Sequence, residues 1–378
     1  MLLVALLLGA PACAGPVHQD PAASGVIVQS VRRSSDVRVQ PNWYTGSFDD
    51  LLREAASSQR IVLLNFRSDW ITYSKMLDKV TLSSPDVLAE LEDLLCFAID
   101  GDSKEGKNLG KKFQVRTPPA LVFLDPDGRL RDQLCGFYGP APFVKELRRI
   151  RRNEGTFSDL RARVQKSPDD LDSRWQLACK LKTIGDLRGF EEQVSQIRER
   201  DPEAKSVAAR RMRLCDLATA AGVEFDLEPL YAFVRAESDR TLLFEGWLEI
   251  WKLEGEAARS IRDPEKARSH GQRYFESARA LWPLVPEEEY GRLGNNIAWN
   301  VYENRASASR ADLEFALQVA TKAVAAAPDV AAVVDTYACC LHALGRVDEA
   351  LVQVKRCIEL DPQNPSWRER LTEFTKGR

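Results

Sequence analysis

The spacing of apolar residues changes character near residue 155. Before that point, continuous apolar runs alternate with segments of helical spacing. Such short runs are typical of strands buried on both faces, and they predict strands at 61–66, 95–100 and 121–124. The helical spacing predicts helices at 48–55, 72–80, 84–94, 104–113 and 141–151. Strands that alternate with helices predict an α/β sandwich.

The turn sequence at 125–128, Asp-Pro-Asp-Gly, predicts a hairpin that closes this sandwich. Proline presets the backbone angle of a turn and glycine tolerates a positive one. The hairpin leads to a further strand at 130–137. The α/β domain is therefore expected to occupy residues 42–153.

From residue 155 to 378 the strand signal is absent and paired helices are predicted. Pro328 and Pro362 lie 34 residues apart, each at the end of an alanine-rich helix. A 34-residue helix-turn-helix period resembles the tetratricopeptide (TPR) family, which implies an all-α helical solenoid that binds proteins. In this register Gly345 forms the turn between two helices. Small residues then fall where the paired helices approach closely, namely Ala338, Ala350 and Cys357.

The first 41 residues predict export. Residues 1–14 contain a short apolar run followed by small residues, as in a secretory signal peptide, and the run is too short to span a bilayer. Cleavage before Gly15 and lipidation of Cys13 are two alternatives for its processing. Residues 15–41 are rich in proline, serine and alanine and predict a flexible tether. We expect an exported protein, periplasmic or anchored to the envelope as a lipoprotein.

Composition narrows the classes of function. The chain has 378 residues, 44% of them hydrophobic, and a net charge of −3, which is typical of a globular protein and not of a nucleic-acid binder. A basic run at 148–152 has two interpretations, a solvated helix end or an anionic partner site. The three histidines show no ligand spacing, so no metal site is predicted. Residues 101–107 resemble a phosphate loop, but Asn108 replaces the required serine or threonine, and we expect no cofactor.

The α/β domain resembles the thioredoxin family over about 110 residues. Members carry Trp-Cys-x-x-Cys-Lys at the start of a helix after an apolar strand. Here Trp70 and Lys75 match that motif, with Ile71-Thr72-Tyr73-Ser74 between them. The family also has a cis-proline that faces the motif, and Pro118-Pro119 before the third strand places Pro119 at that position.

This sequence departs from the family pattern at the residues that perform thiol exchange. Thiol exchange requires a thiolate that attacks and a second thiol that resolves the mixed disulfide. Ile71 and Ser74 occupy the positions of these two cysteines. Asn65 occupies the position of a buried aspartate that assists proton transfer in the family. We therefore predict no catalytic residues and no disulfide oxidoreductase activity.

These expectations combine into one hypothesis about function. The protein is expected to be a non-catalytic adaptor or chaperone-like scaffold of the bacterial envelope that binds proteins or extended peptides. Trp70, Ile71, Tyr73 and Pro119 would line the peptide groove, and the alternative is that these residues only stabilise the fold. A different hypothesis is an oxidoreductase that uses Cys135 or a partner's thiol. We expect no nucleic-acid partner. We expect contact with a membrane only through a lipid anchor at Cys13.

Overall fold

The computed structural model describes residues 40–376. The predicted signal peptide, Cys13 and the predicted tether up to residue 39 lie outside the described residues. The chain divides between Met212 and Arg213 into two compact units. No helix within residues 40–376 is both long enough and apolar enough to cross a membrane.

The first unit contains a four-stranded mixed sheet in the order β2-β1-β3-β4. Its strands are β1 (Val62–Arg67), β2 (Leu95–Asp100), β3 (Ala120–Leu124) and β4 (Leu130–Cys135). Strand β1 pairs with β2 in parallel and with β3 antiparallel, and β4 pairs antiparallel with β3. The parallel pair requires a crossover, which helices provide.

Five helices accompany this sheet. They are α1 (Phe48–Ser58), α2 (Thr72–Met76), α3 (Pro85–Leu91), α4 (Lys104–Lys112) and α5 (Pro140–Arg151). Apolar residues from both faces of the sheet form two separate cores, one with α1 and α4 and the other with α3 and α5. The α/β architecture predicted from the apolar pattern is confirmed.

Three element ends differ from the sequence prediction. The helix expected to reach residue 80 is α-helical only to Met76 and continues as a π-helical turn over Leu77–Thr81. The helix expected to reach residue 94 ends at Leu91, and the strand expected to reach residue 137 ends at Cys135. A single insertion into the helical ladder leaves the apolar spacing almost unchanged, so periodicity does not reveal it.

The rest of the described chain is helical, as predicted. The helices are α6 (Phe157–Lys166), α7 (Leu171–Ile184), α8 (Leu187–Arg200), α9 (Val207–Glu224), α10 (Glu228–Ala236), α11 (Arg240–Ser260), α12 (Pro264–Leu281), α13 (Asn295–Glu303), α14 (Arg310–Ala326), α15 (Ala331–Ala343), α16 (Val347–Leu360) and α17 (Ser366–Lys376). The division into two units falls inside α9.

Helices α6, α7 and α8 belong to the same compact unit as the sheet. Phe157 and Leu160 of α6 form a buried cluster with Leu181 of α7, and Leu130 of β4 packs against that cluster. Ile184 at the end of α7 completes it. The first helices after the α/β domain are therefore packed onto its edge strand.

The repeat at the end of the second unit has the predicted helix pair. Gly345 lies between α15 and α16 with a φ of 79°, a conformation that strongly favours glycine. Ala338, Ala350 and Cys357 are fully buried. Helix α16 ends at Leu360, two residues before Pro362, and α17 packs on α16. Small side chains at these positions let the paired helices approach closely.

Candidate functional site

The two positions that the sequence analysis aligned with the cysteines of the thioredoxin motif lie at the start of α2. Ile71 immediately precedes the helix and is partly buried. Ser74 lies in its first turn and is 2% exposed, and its hydroxyl accepts a hydrogen bond of 3.3 Å from the backbone N–H of Ser68. The isoleucine side chain has no nucleophilic atom, and a serine hydroxyl does not ionise near neutral pH as a thiol can. The Ser74 hydroxyl instead forms a hydrogen bond to the loop that precedes it.

Trp70 is the most prominent exposed side chain of this region. Its ring is 74% exposed, yet its indole N–H donates a 3.0 Å hydrogen bond to Asp102, which lies between β2 and α4. The same carboxylate oxygen accepts a 2.5 Å hydrogen bond from the buried hydroxyl of Ser68. Asp102 thus fixes the loop after β1 and the orientation of the indole together.

Asn65 in β1 is completely buried and contacts a carboxylate. Its amide nitrogen donates a 3.1 Å hydrogen bond to Asp78 in the π-helical turn, while its amide oxygen has no hydrogen-bond partner within residues 40–376. The Arg67 guanidinium lies 3.7 Å from the other oxygen of Asp78. Burial raises the pKa of Asp78, and the charge of Arg67 only partly opposes this. A titratable carboxylate is therefore present beside Asn65, supplied by a different element.

The loop before β3 approaches the motif from the other side. The peptide bond between Pro118 and Pro119 is cis. Gly101 packs against Pro118 so closely that an added Cβ would lie 3.1 Å from its ring, and Gly101 directly precedes Asp102. Trp70 is thus connected to the proline loop by its hydrogen bond to Asp102 and by the packing of the adjacent Gly101 on Pro118.

Tyr73 connects to the same loop by a second route. Its ring, 39% exposed, lies 6.4 Å from the ring of Phe137. Gly136, next to Phe137, donates a 2.8 Å backbone hydrogen bond to the carbonyl of Pro119. The structure therefore brings Trp70, Tyr73 and the cis-proline loop to one face of the domain.

The remaining residues of the motif are exposed. Thr72 begins α2, and Lys75 lies in its last turn with a solvent-exposed side chain. Sequence reasoning did not identify Asp78, Asp102 or Phe137. The only available signal was the position of Asp102, two residues after the end of β2. The roles of all three residues depend on contacts between distant segments.

Three cysteines of the described chain are poorly suited to thiol exchange. Cys135 lies on β4, paired with Ala120, which follows the cis-proline. Burial raises the pKa of its thiol. Cys340 and Cys357 are buried among helices, and burial raises each pKa to about 12. Since the thiolate is the nucleophile, a raised pKa makes these thiols unreactive at neutral pH.

Comparisons with known proteins place this geometry in context. Residues 48–151 match a family profile described as a thioredoxin-like domain. A thiol:disulfide interchange protein DsbD from Ralstonia nicotianae is 30% identical over 132 residues, which are 34% of this chain and 20% of that protein. The match to a second DsbD, from Photorhabdus laumondii, covers 22% of that protein, so the chain spans about a fifth of these relatives.

Two solved structures match different shares of the chain. A thioredoxin from Thermus thermophilus is 27% identical, and the match covers 30% of this chain and 88% of that one with a TM-score of 0.27. A TPR protein from Thermus thermophilus is 15% identical, and the match covers 62% of this chain and 94% of that one with a TM-score of 0.28.

Proposed function

We propose that the domain at residues 48–151, which belongs to the thioredoxin-like family, binds extended polypeptide without thiol chemistry. The helical region at 155–378 would add a second protein-binding surface. The whole chain would then serve as an adaptor or chaperone-like scaffold. Residues 1–14 resemble a secretory signal peptide, so the protein would act in the bacterial envelope. The proposed domains are those that the sequence pattern predicts, at 42–153 and 155–378.

The observation that carries this proposal is the state of the two thiol positions. Ile71 and the buried Ser74 occupy them, and neither can form a mixed disulfide. Asn65 cannot exchange a proton as an aspartate does. These three positions therefore lack the groups that perform the exchange, while the domain keeps the fold that would present them.

The exposed aromatic face supports binding. Trp70 and Tyr73 expose large apolar rings, and the hydrogen bond from Trp70 to Asp102 holds the indole in place. An aromatic side chain that is already oriented loses little entropy on binding, and tryptophan and tyrosine are frequent anchors of protein interfaces. The strand edge near a cis-proline can also pair with an extended peptide through its main chain.

The experiment that tests the proposal compares partner recovery from cells. Tagged full-length protein is crosslinked in cells that express it, purified, and its partners are quantified by mass spectrometry. Trp70→Ala/Tyr73→Ala should reduce recovery of partners about fivefold or more, since loss of an interface anchor typically costs over 1 kcal/mol.

A matched control removes exposed apolar side chains elsewhere. Val223 and Val352 are 78% and 61% exposed and belong to the second compact unit, so Val223→Ala/Val352→Ala removes exposed apolar surface outside the α/β domain. Equal recovery with both double variants would reject the aromatic face as a binding site. Loss with the first variant alone would support it.

A second candidate function is thiol–disulfide exchange through Cys135 or through a thiol of a partner. The names of the DsbD relatives favour it, as does the position of Cys135 beside the cis-proline strand. The raised pKa of that thiol speaks against it. We expect no insulin reduction by the natural chain.

A gain-of-function variant provides the positive control for that assay. Ile71→Cys/Ser74→Cys restores a thiol pair at the start of α2, where a helix N-terminus favours a thiolate. We expect this variant to reduce insulin measurably in the presence of dithiothreitol. Turnover by the natural chain that disappears in Cys135→Ser would favour the oxidoreductase instead.

A further inference from the structure

A cavity of about 490 Å³ lies beside the cis-proline loop, within the first compact unit. Residues of α4 form one wall, and the turn between α7 and α8 forms another. Three basic side chains line it, Lys107, Lys111 and Arg116. The cavity is thus built jointly by the thioredoxin-like domain and the first helices that follow it.

These three cations lack carboxylate partners. All three are exposed, and none forms an ion pair within residues 40–376. No acidic residue lines the cavity in this described part of the chain. In a protein whose net charge is −3, three unneutralised cations around one cavity create a local positive potential.

Arg116 is held in place by the helical region. Its guanidinium donates a 3.0 Å hydrogen bond to the carbonyl of Gly185 in the turn between α7 and α8. A Cβ on Gly185 would lie 2.0 Å from the guanidinium carbon, and its φ is 82°. The positive φ favours glycine in this turn, and a Cβ there would displace the guanidinium from the position in which it binds the carbonyl.

The cavity and the aromatic face adjoin the same proline loop. Gly101 and Pro118 both line it, and they are the residues through which Trp70 and Asp102 reach the proline loop. A chain that lies across the proline loop would therefore pass from an apolar aromatic surface into a basic one. Adjacent apolar and basic surfaces match a ligand that is apolar along one stretch and acidic along the next.

We infer that the cavity binds an acidic segment of the same polypeptide that packs on Trp70 and Tyr73, so that the ligand is an extended chain with an acidic stretch beside an apolar one. This inference rests on the proposed function. Lys107 and Lys111 supply the attraction, and Arg116, fixed by Gly185, sets the position of the acidic stretch. Charge complementarity of this kind chiefly sets which partner is selected.

The test uses full-length protein and two fluorescein-labelled peptides of about ten residues. Both carry a central Val-Thr repeat, one flanked by Asp-Asp and the other by Ser-Ser at each end. Binding is followed by fluorescence anisotropy at low and physiological salt. Lys107→Gln/Lys111→Gln should weaken binding of the Asp-flanked probe about tenfold at low salt and leave the Ser-flanked probe within about twofold.

The matched control removes two exposed lysines that lie off the cavity. Lys104→Gln/Lys145→Gln changes net charge equally, and neither lysine lines the cavity. It should leave both probes within about twofold of the natural protein. An equal loss with both lysine pairs would mean a net-charge effect and would overturn the inference.

The remaining outcomes separate the inference from the function on which it rests. If the Asp-flanked probe is unaffected by Lys107→Gln/Lys111→Gln but lost in Trp70→Ala/Tyr73→Ala, the cavity inference fails and the proposed function stands. If the lysine variant alone weakens binding, the cavity binds and the aromatic face does not. If the natural protein binds neither probe at about 1 mM, both are overturned.

Discussion

At the scale of single residues, Asp78 of the π-helical turn places a carboxylate beside the buried Asn65 of β1. The carboxylate accepts a hydrogen bond from Asn65 and lies near Arg67, but burial dominates and raises its pKa. The folded protein therefore holds this proton to higher pH than the unfolded chain does. The free energy of unfolding consequently falls as pH rises from the ordinary aspartate pKa through the raised one.

Asp78→Asn should escape this loss of stability. The variant cannot ionise and retains an oxygen that accepts from Asn65, so we expect it to be more stable than the natural chain at neutral pH. The difference should shrink as pH falls below about 3.9, where the aspartate is protonated in both states. Chemical denaturation at several pH values measures this, and a variant less stable at neutral pH would contradict the assignment.

The basic run at 148–152 lies at the end of α5, and each of its four arginines pairs with a carboxylate. Arg148 and Arg151 bind Glu90 of α3, and Arg149 lies 2.6 Å from Asp132 of β4. Arg152 pairs with Glu154 at 2.8 Å. The side chains of Arg148 and Arg152 are still 61% and 62% exposed, so this helix end is partly solvated. Sequence composition showed the charges, but Glu90 and Asp132 belong to other elements of the fold and could not be assigned as partners from it.

At the scale of elements, α17 closes the open end of the helical array. Phe374 is fully buried and stacks on His342 of α15 at 3.9 Å between ring centroids. Arg370 forms two hydrogen bonds of 3.1 Å to Asp335, also on α15. A terminal helix of a stacked array must cover apolar surface that no further repeat covers.

Phe374→Ala should therefore weaken the second unit strongly. Loss of a fully buried phenylalanine typically costs about 3–5 kcal/mol, and we expect a lower melting temperature and a lower free energy of unfolding. Thr372→Ala, on the exposed side of the same helix, is the control and should stay within about 0.5 kcal/mol. Similar values for both variants would mean that α17 is not a packed cap.

At the scale of the whole molecule, one buried carboxylate links the sheet to the helices that follow it. Asp132 of β4 is 0% exposed and lies 2.6 Å from the ammonium of Lys180 in α7 and 2.6 Å from Arg149 in α5. Ser158 of α6 donates a hydrogen bond to Asp125 at the end of β3. The first helices thus satisfy polar groups of the thioredoxin-like domain.

Asp132→Asn should destabilise the first unit by about 3 kcal/mol or more. Removing the carboxylate leaves Lys180 and Arg149 without their shared counter-charge in a buried setting, and such losses typically cost 3–5 kcal/mol. Asp127→Asn, in the exposed hairpin turn, is the matched control. Urea denaturation measures both, and partial recovery in Asp132→Asn/Lys180→Met would show that the unpaired lysine causes the loss.

Much of the architecture was predictable because it depends on local pattern. Apolar periodicity located the strands β1–β3 and the helices α1 and α4 to within a few residues, and the proline spacing located α15 and α16. The π-helical turn was missed, because one inserted residue barely alters the apolar pattern, and the end of β4 was predicted two residues beyond Cys135. In the candidate site, the sequence showed that residues 71 and 74 carry no thiol. It did not identify Asp78, Asp102 or Phe137.

The sequence by itself determined the kinds of element, their order and the absence of a thiol pair at residues 71 and 74, because periodicity and residue identity are local properties. Tertiary structure alone decided that Asp102 orients Trp70, that Asp78 lies beside Asn65 and that Lys180 pairs with Asp132. Each of these contacts joins segments whose separation is set by how the sheet and helices pack. No local pattern encodes that packing.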